Sequence, residues 1–92
     1  MRDIEAIIRQ LQLVQPDVRT EQLRVSHPGA DDDGLWFFRH RTTDVEVQLE
    51  SSTGNCPFLV ERTDSADRFQ ACTVQQAVLL VVAGLGLTSP AV

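Results

Sequence analysis

The sequence has no lysine and no tyrosine, and its 8 basic residues, all arginines, are outnumbered by 13 carboxylates. The formal net charge is -5 over 92 residues. A chain without a basic excess is poorly suited to displacing the counterions of a nucleic acid or to docking on an anionic membrane. We therefore expect neither nucleic acid nor membrane as a partner. The use of arginine alone indicates a GC-rich bacterial genome.

Long hydrophobic runs are also missing. The longest apolar stretch, residues 77–87, contains two glycines and is too short to cross a bilayer. Residues 1–3 lead directly into an amphipathic pattern, without the apolar segment of a secretory leader. Two cysteines, Cys56 and Cys72, do not make the disulfide framework of a secreted domain. These absences predict a cytoplasmic protein with free thiols.

What is present suits one folded domain. Hydrophobic residues make up 42% of the chain and charged residues 23%, which are the proportions of a globular rather than a disordered protein. The sequence contains no internal repeat, linker or low-complexity segment. Residues 1–92 are therefore predicted to form a single domain.

A helix is predicted at each end of the chain. The first, at about residues 3–15, has Asp3 as its N-cap and ends before Pro16. Its apolar stripe has helical spacing and consists of Ile4, Ile7, Ile8, Leu11 and Val14. The second begins at Thr73, which forms a capping-box pattern with Gln76, and ends near Gly84. Its stripe consists of Val74, Ala77, Val78, Val81 and Leu85.

Four strands are predicted between the helices, at residues 22–27, 35–41, 45–50 and 56–62. Alternating apolar and polar residues and intervening turn residues define them. Short connections favour an antiparallel meander, and both helices must bury their stripes on one face of the sheet. The predicted fold is therefore α+β, with the order α-β-β-β-β-α.

The pairing of the strands can be predicted as well. A turn at residues 41–44 places Trp36 opposite Leu49 on the inward face and Arg39 opposite Glu46 on the outward face, so burial and charge select the same register. On the next strand, the same reasoning places Phe58 beside Leu49 and Val60 beside Val47.

The outward face of this sheet is the candidate binding surface. Phe37 and Leu59 are expected to flank Gln48 there, giving an apolar strip with a charged rim, as contact sites often have. The charged residues at its edge are Arg39, Glu46, Glu50 and Glu61. We expect a small, acidic, non-enzymatic domain that binds a protein partner or forms a homodimer through this face and needs no cofactor.

A thiol enzyme or redox sensor that uses Cys72 is the alternative, because the start of the second helix favours a thiolate there. Cys56 and His40 are predicted to lie roughly 20 Å apart, too far to act as a nucleophile and base. The Asp31–Asp33 run, with His27 nearby, lacks the ligand spacing of a calcium loop and suits a solvated turn better.

In size, charge and element order the chain resembles bacterial immunity proteins and type III secretion chaperones. No motif is specific to either family, so no residue role is transferred. The acidic surface, the outward Phe37 and the lack of a catalytic set favour action by protein–protein contact, and an immunity-type or chaperone-like protein is one version of it. An acidic inhibitor of a basic toxin would gain association rate and selectivity from charge complementarity.

Overall fold

The computed structural model describes residues 2–22 and 34–87, and it confirms an α+β fold with an antiparallel meander sheet. Within these residues the sheet contains five strands rather than four, and the strands are neighbours in chain order. The elements are α1 (Asp3–Val14), β1 (Val18–Gln22), β2 (Leu35–His40), β3 (Glu46–Glu50), β4 (Phe58–Arg62), β5 (Arg68–Ala71) and α2 (Val74–Gly84).

The core lies between one face of the sheet and the two helices. α1 contributes Ile4, Ile7 and Leu11, and α2 contributes four buried residues between Ala77 and Val82. From the strands come the residues predicted to face inward, all of them buried: Trp36, Phe38, Val47, Leu49, Phe58 and Val60. Alternate strand residues point to opposite faces, so the other face of the sheet points away from both helices.

The loop of residues 51–57 caps α1. The Gly54 carbonyl accepts the Ile4 N–H at 2.9 Å, and Asn55 Oδ1 accepts the Asp3 N–H at 3.0 Å. In return, Asp3 Oδ2 accepts the Cys56 N–H at 2.9 Å. Asp3 was predicted to be the N-cap, but it lies in the first turn, and a distant loop satisfies the free N–H groups of the helix start.

This cap explains an error in the predicted pairing of β3 with β4. The register of β2 with β3 is confirmed, with Trp36 opposite Leu49. On β4, however, Leu49 faces Val60 rather than Phe58, a shift of two residues. The predicted strand started at residue 56, but Asn55 and Cys56 are bonded to the start of α1 and cannot also join the sheet. β4 therefore begins at Phe58.

The first and last strands also differ from the prediction. β1 starts at Val18, immediately after a turn in which the Val18 N–H donates to the Gln15 carbonyl. The strand starts here because the Val18 side chain is buried in the core, opposite His40 on β2. The first strand was predicted at residues 22–27, and residues 23–27 lie outside the described residues. β5, which was not predicted, pairs with β4 at the edge of the sheet.

α2 begins at the predicted cap. Thr73 Oγ1 accepts the Gln76 N–H at 3.1 Å, as a capping box requires. The return bond differs, because Gln76 Oε1 accepts the N–H of Cys72, one residue before the N-cap, at 2.8 Å. Within the described ranges, no helix has the length and apolar character needed to cross a membrane.

Candidate functional site

The candidate site is the sheet face that points away from the helices, here called the outer face. No described element covers it. All seven residues predicted for the binding surface lie on it: Phe37, Arg39, Glu46, Gln48, Glu50, Leu59 and Glu61. The remaining strand residues of this face are Arg19 and Glu21 on β1, Leu35 on β2, and Arg68 and Gln70 on β5.

The neighbours on this face differ from those predicted. Gln48 lies between Phe37 and Glu61, and Leu59 lies in the next row, opposite Glu50. Phe37 and Leu59 therefore do not flank Gln48, because β4 is shifted by two residues. Leu35, on the far side of Glu50, is a third apolar residue in this region. The result is two half-buried apolar groups, one on β2 and one on β4, separated by polar β3 side chains.

Charged residues surround these apolar groups. Arg39 and Glu46 form the predicted ion pair across β2 and β3, and Arg68 pairs with Glu61 at 3.4 Å. Arg19 lies directly opposite Arg39 and makes no ion pair with any described residue. Like charges placed opposite each other on neighbouring strands destabilise a sheet by up to about 1 kcal/mol. One end of the outer face thus has an unmatched positive charge.

A groove of about 670 Å³ lies at that end, beside the turn between β2 and β3. Arg19, Arg39 and Arg41 line it together with the carboxylates of Asp44 and Glu46. Arg41 is paired with Asp17 at 3.4 Å, as Arg39 is with Glu46. Because two of the three arginines are already neutralised, the groove suits a partner surface of mixed charge better than a free anion.

Exchanging Arg39 and Glu46 tests the charge pattern of the outer face. We expect the double variant Arg39→Glu/Glu46→Arg to keep its free energy of unfolding within about 0.5 kcal/mol of that of wild type. The ion pair is restored with reversed charges, its Arg39 end is exposed, and the carboxylate introduced at position 39 would face Arg19. Single Glu46→Arg should lose about 1 kcal/mol, because it places three arginines side by side. Urea unfolding measures both. A double variant less stable than the single variant would contradict the pairing.

The two cysteines lie at the opposite end of the sheet from His40. Cys56 immediately precedes Pro57 and β4, whereas His40 lies beside the β2–β3 turn, where its Nδ1 accepts the Thr42 N–H. As predicted, Cys56 and His40 are not placed to act together. Burial raises the pKa of the Cys56 thiol, and its hydrogen bond to Asp3 raises the pKa further. Cys72, in contrast, is exposed.

The described ranges contain no group of three or more histidine, cysteine or acidic residues that could hold a metal ion. The Asp31–Asp33 run and His27 lie outside the described residues.

Sequence reasoning missed the parts of the outer face that β1 and β5 contribute. Arg19 and Glu21 alternate with Val18 and Thr20, so a pattern of period two did indicate β1. β5 gave little signal, because three of its four side chains are exposed. Its largest apolar residue, Phe69, shares a face with Val60 yet remains 50% exposed.

No family model, no curated protein and no solved structure matches this chain. The outer face and the two thiols are therefore the observations from which a function can be proposed.

Proposed function

We propose that this chain is a non-enzymatic domain whose outer face binds a protein partner. The observation that carries the proposal is that no described element covers this face of the five-stranded sheet, although half-buried Leu35, Phe37 and Leu59 lie on it. Apolar groups within a polar rim are typical of protein contact sites.

The net charge of the chain favours a basic partner, and two carboxylates of the outer face are available to it. Glu21 and Glu50 are exposed and make no ion pair with any described residue, whereas Glu46 and Glu61 are paired with arginines. The whole chain has a net charge of -5, which would steer a basic protein towards it and make association faster at low salt. An immunity-type inhibitor of a basic toxin, or a chaperone-like protein, would bind in this way.

The residues of the outer face suit binding better than acid–base catalysis. Exposed carboxylates such as Glu21 and Glu50 stay solvated, and a catalytic acid usually lies in a more enclosed site. The arginines there are paired with carboxylates or, like Arg19, exposed to solvent.

Phe37→Arg tests the proposal, because the new arginine would face Glu21 and leave the fold intact. Leu13→Arg, at a residue of α1 that is 76% exposed, is the matched control and adds the same charge away from the outer face. We expect Phe37→Arg to weaken binding to a purified partner at least about tenfold, as loss of a central contact does, and Leu13→Arg to leave the dissociation constant unchanged.

Two measurements are needed. Light scattering over a range of concentrations shows whether the partner is a second copy of this chain. Calorimetric titration of both variants then gives the dissociation constants for a partner that the wild-type protein captures. If the folded Phe37→Arg variant binds with wild-type affinity and Leu13→Arg has lost binding, the proposal is wrong. The contact surface then lies on the helices.

A further inference from the structure

The register of β4 with β5 brings the two cysteines to the same corner of the sheet. Phe58 faces Ala71 in the last pair of this ladder. Cys72 directly follows Ala71, and Cys56 lies two residues before Phe58, so both cysteines lie at the end of this ladder. A disulfide between them requires Cα atoms about 4.4–6.8 Å apart.

Hydrogen bonds hold both cysteine backbones in place. The Cys56 N–H donates to Asp3 Oδ2 in the first turn of α1, and the Cys72 N–H donates to Gln76 Oε1 in the first turn of α2. The starts of both helices therefore meet the sheet at this corner. The loop of residues 51–57, which caps α1, is thereby positioned next to the residue that precedes the N-cap of α2.

The two thiols differ in accessibility and in their surroundings. Cys72 is exposed, and Cys56 is half-buried against the core with its thiol hydrogen-bonded to Asp3. Burial is the largest cause of the raised pKa of Cys56, and the hydrogen bond to Asp3 and the charges of Asp3 and Cys72 raise it further. Cys72 is thus placed to react first with a reagent from solution.

We propose that Cys56 and Cys72 form a reversible intramolecular disulfide, which makes this corner an oxidation site independent of the proposed binding function. With a small-molecule disulfide as the oxidant, the Cys72 thiolate attacks one sulfur and releases one thiolate. Cys56 loses its proton, which the hydrogen-bonded Asp3 carboxylate or water accepts, and attacks the Cys72 sulfur, releasing the second thiolate. Two protein thiols are oxidised, one small disulfide is reduced, and two small thiols leave with the two protons.

Oxidation would link the loop that caps α1 to the start of α2. Because the bond closes the chain between residues 56 and 72, it restricts the unfolded state and should raise the unfolding temperature of the oxidised protein. A reductant should reverse the change. This expected stabilisation distinguishes the internal disulfide from modification of Cys72 alone, which closes no loop.

Incubation of the full chain with glutathione disulfide tests the proposal, with thiols counted after denaturation and the mass determined for the intact chain. In the wild-type protein both thiols should disappear from the count, and the mass should fall by that of two hydrogen atoms. The protein should remain monomeric on a non-reducing gel. Cys56→Ser should stop at a stable glutathione adduct on Cys72. Cys72→Ser should react far more slowly, because only the half-buried thiol remains.

Three outcomes would overturn the proposal. The wild-type protein could keep both thiols, carry glutathione on Cys72 as Cys56→Ser does, or form its disulfide between two chains. Because the mass of wild-type protein distinguishes these results, the test does not depend on the stability of either serine variant. Phe37→Arg should oxidise as wild type does, which keeps this test separate from that of the outer face.

Discussion

Replacing Trp36 with alanine is expected to remove about 3–5 kcal/mol from the free energy of unfolding. The side chain of Trp36 is 3% exposed and lies opposite Leu49 at the centre of the inward face. Its ring makes an edge-to-face contact with the ring of Phe58, with centroids 6.3 Å apart and planes at 71°. An edge-to-face contact adds to the free energy of burial, and truncation would leave a cavity between three strands and the helices.

A domain of this size has a total stability of only about 5–10 kcal/mol, so the Trp36→Ala variant should be partly unfolded at room temperature. Urea unfolding followed by circular dichroism measures the loss. Phe37→Ala is the matched control, because the neighbouring residue of the same strand points to the outer face and should lose far less. Equal losses at the two positions would contradict the assignment of Trp36 to the core.

The pairing of β2 with β3 could be predicted because two independent features of the sequence agree on it. Placing Trp36 opposite Leu49 buries both side chains and also brings Arg39 opposite Glu46. A slip of one residue would move every side chain to the wrong face. Where burial and charge select the same register, the local sequence is sufficient to predict how two strands pair.

The pairing of β3 with β4 could not be predicted in the same way. A shift of two residues preserves the face of every side chain, so the apolar pattern cannot distinguish the two registers. The choice depends on Asn55 and Cys56, which bond to Asp3 more than 50 positions away in the chain. No local pattern contains such a contact, and β4 starts later than its sequence indicates for that reason.

The same alternation explains why the face of each candidate residue could be predicted. All seven predicted residues lie on the outer face, because face membership depends only on alternation along each strand. Their neighbours were partly wrong, because contacts across strands depend on register. Glu61, predicted as part of the rim, is the direct neighbour of Gln48, and Leu59 faces Glu50 instead.

Gly34→Ala should be the second strongly destabilising substitution, with a loss of about 3 kcal/mol, because it would separate two backbones that lie in close contact. The Gly34 carbonyl accepts the Ser51 N–H at 2.8 Å, just where β3 leads into the loop that caps α1. A Cβ at position 34 would lie 2.2 Å from the Ser51 carbonyl oxygen and 2.8 Å from its carbon. Both are backbone atoms, so no flexible side chain can move aside.

Gly86→Ala is the control that separates this close contact from the conformational freedom of glycine. Gly86 has a φ of +72°, but a Cβ there would meet nothing within 4 Å, so alanine should cost only about 1–2 kcal/mol through backbone strain. In urea unfolding the midpoint of Gly34→Ala should fall further than that of Gly86→Ala. The reverse order would mean that separating residues 34 and 51 costs little free energy of unfolding, and that the cap on α1 does not depend on their contact.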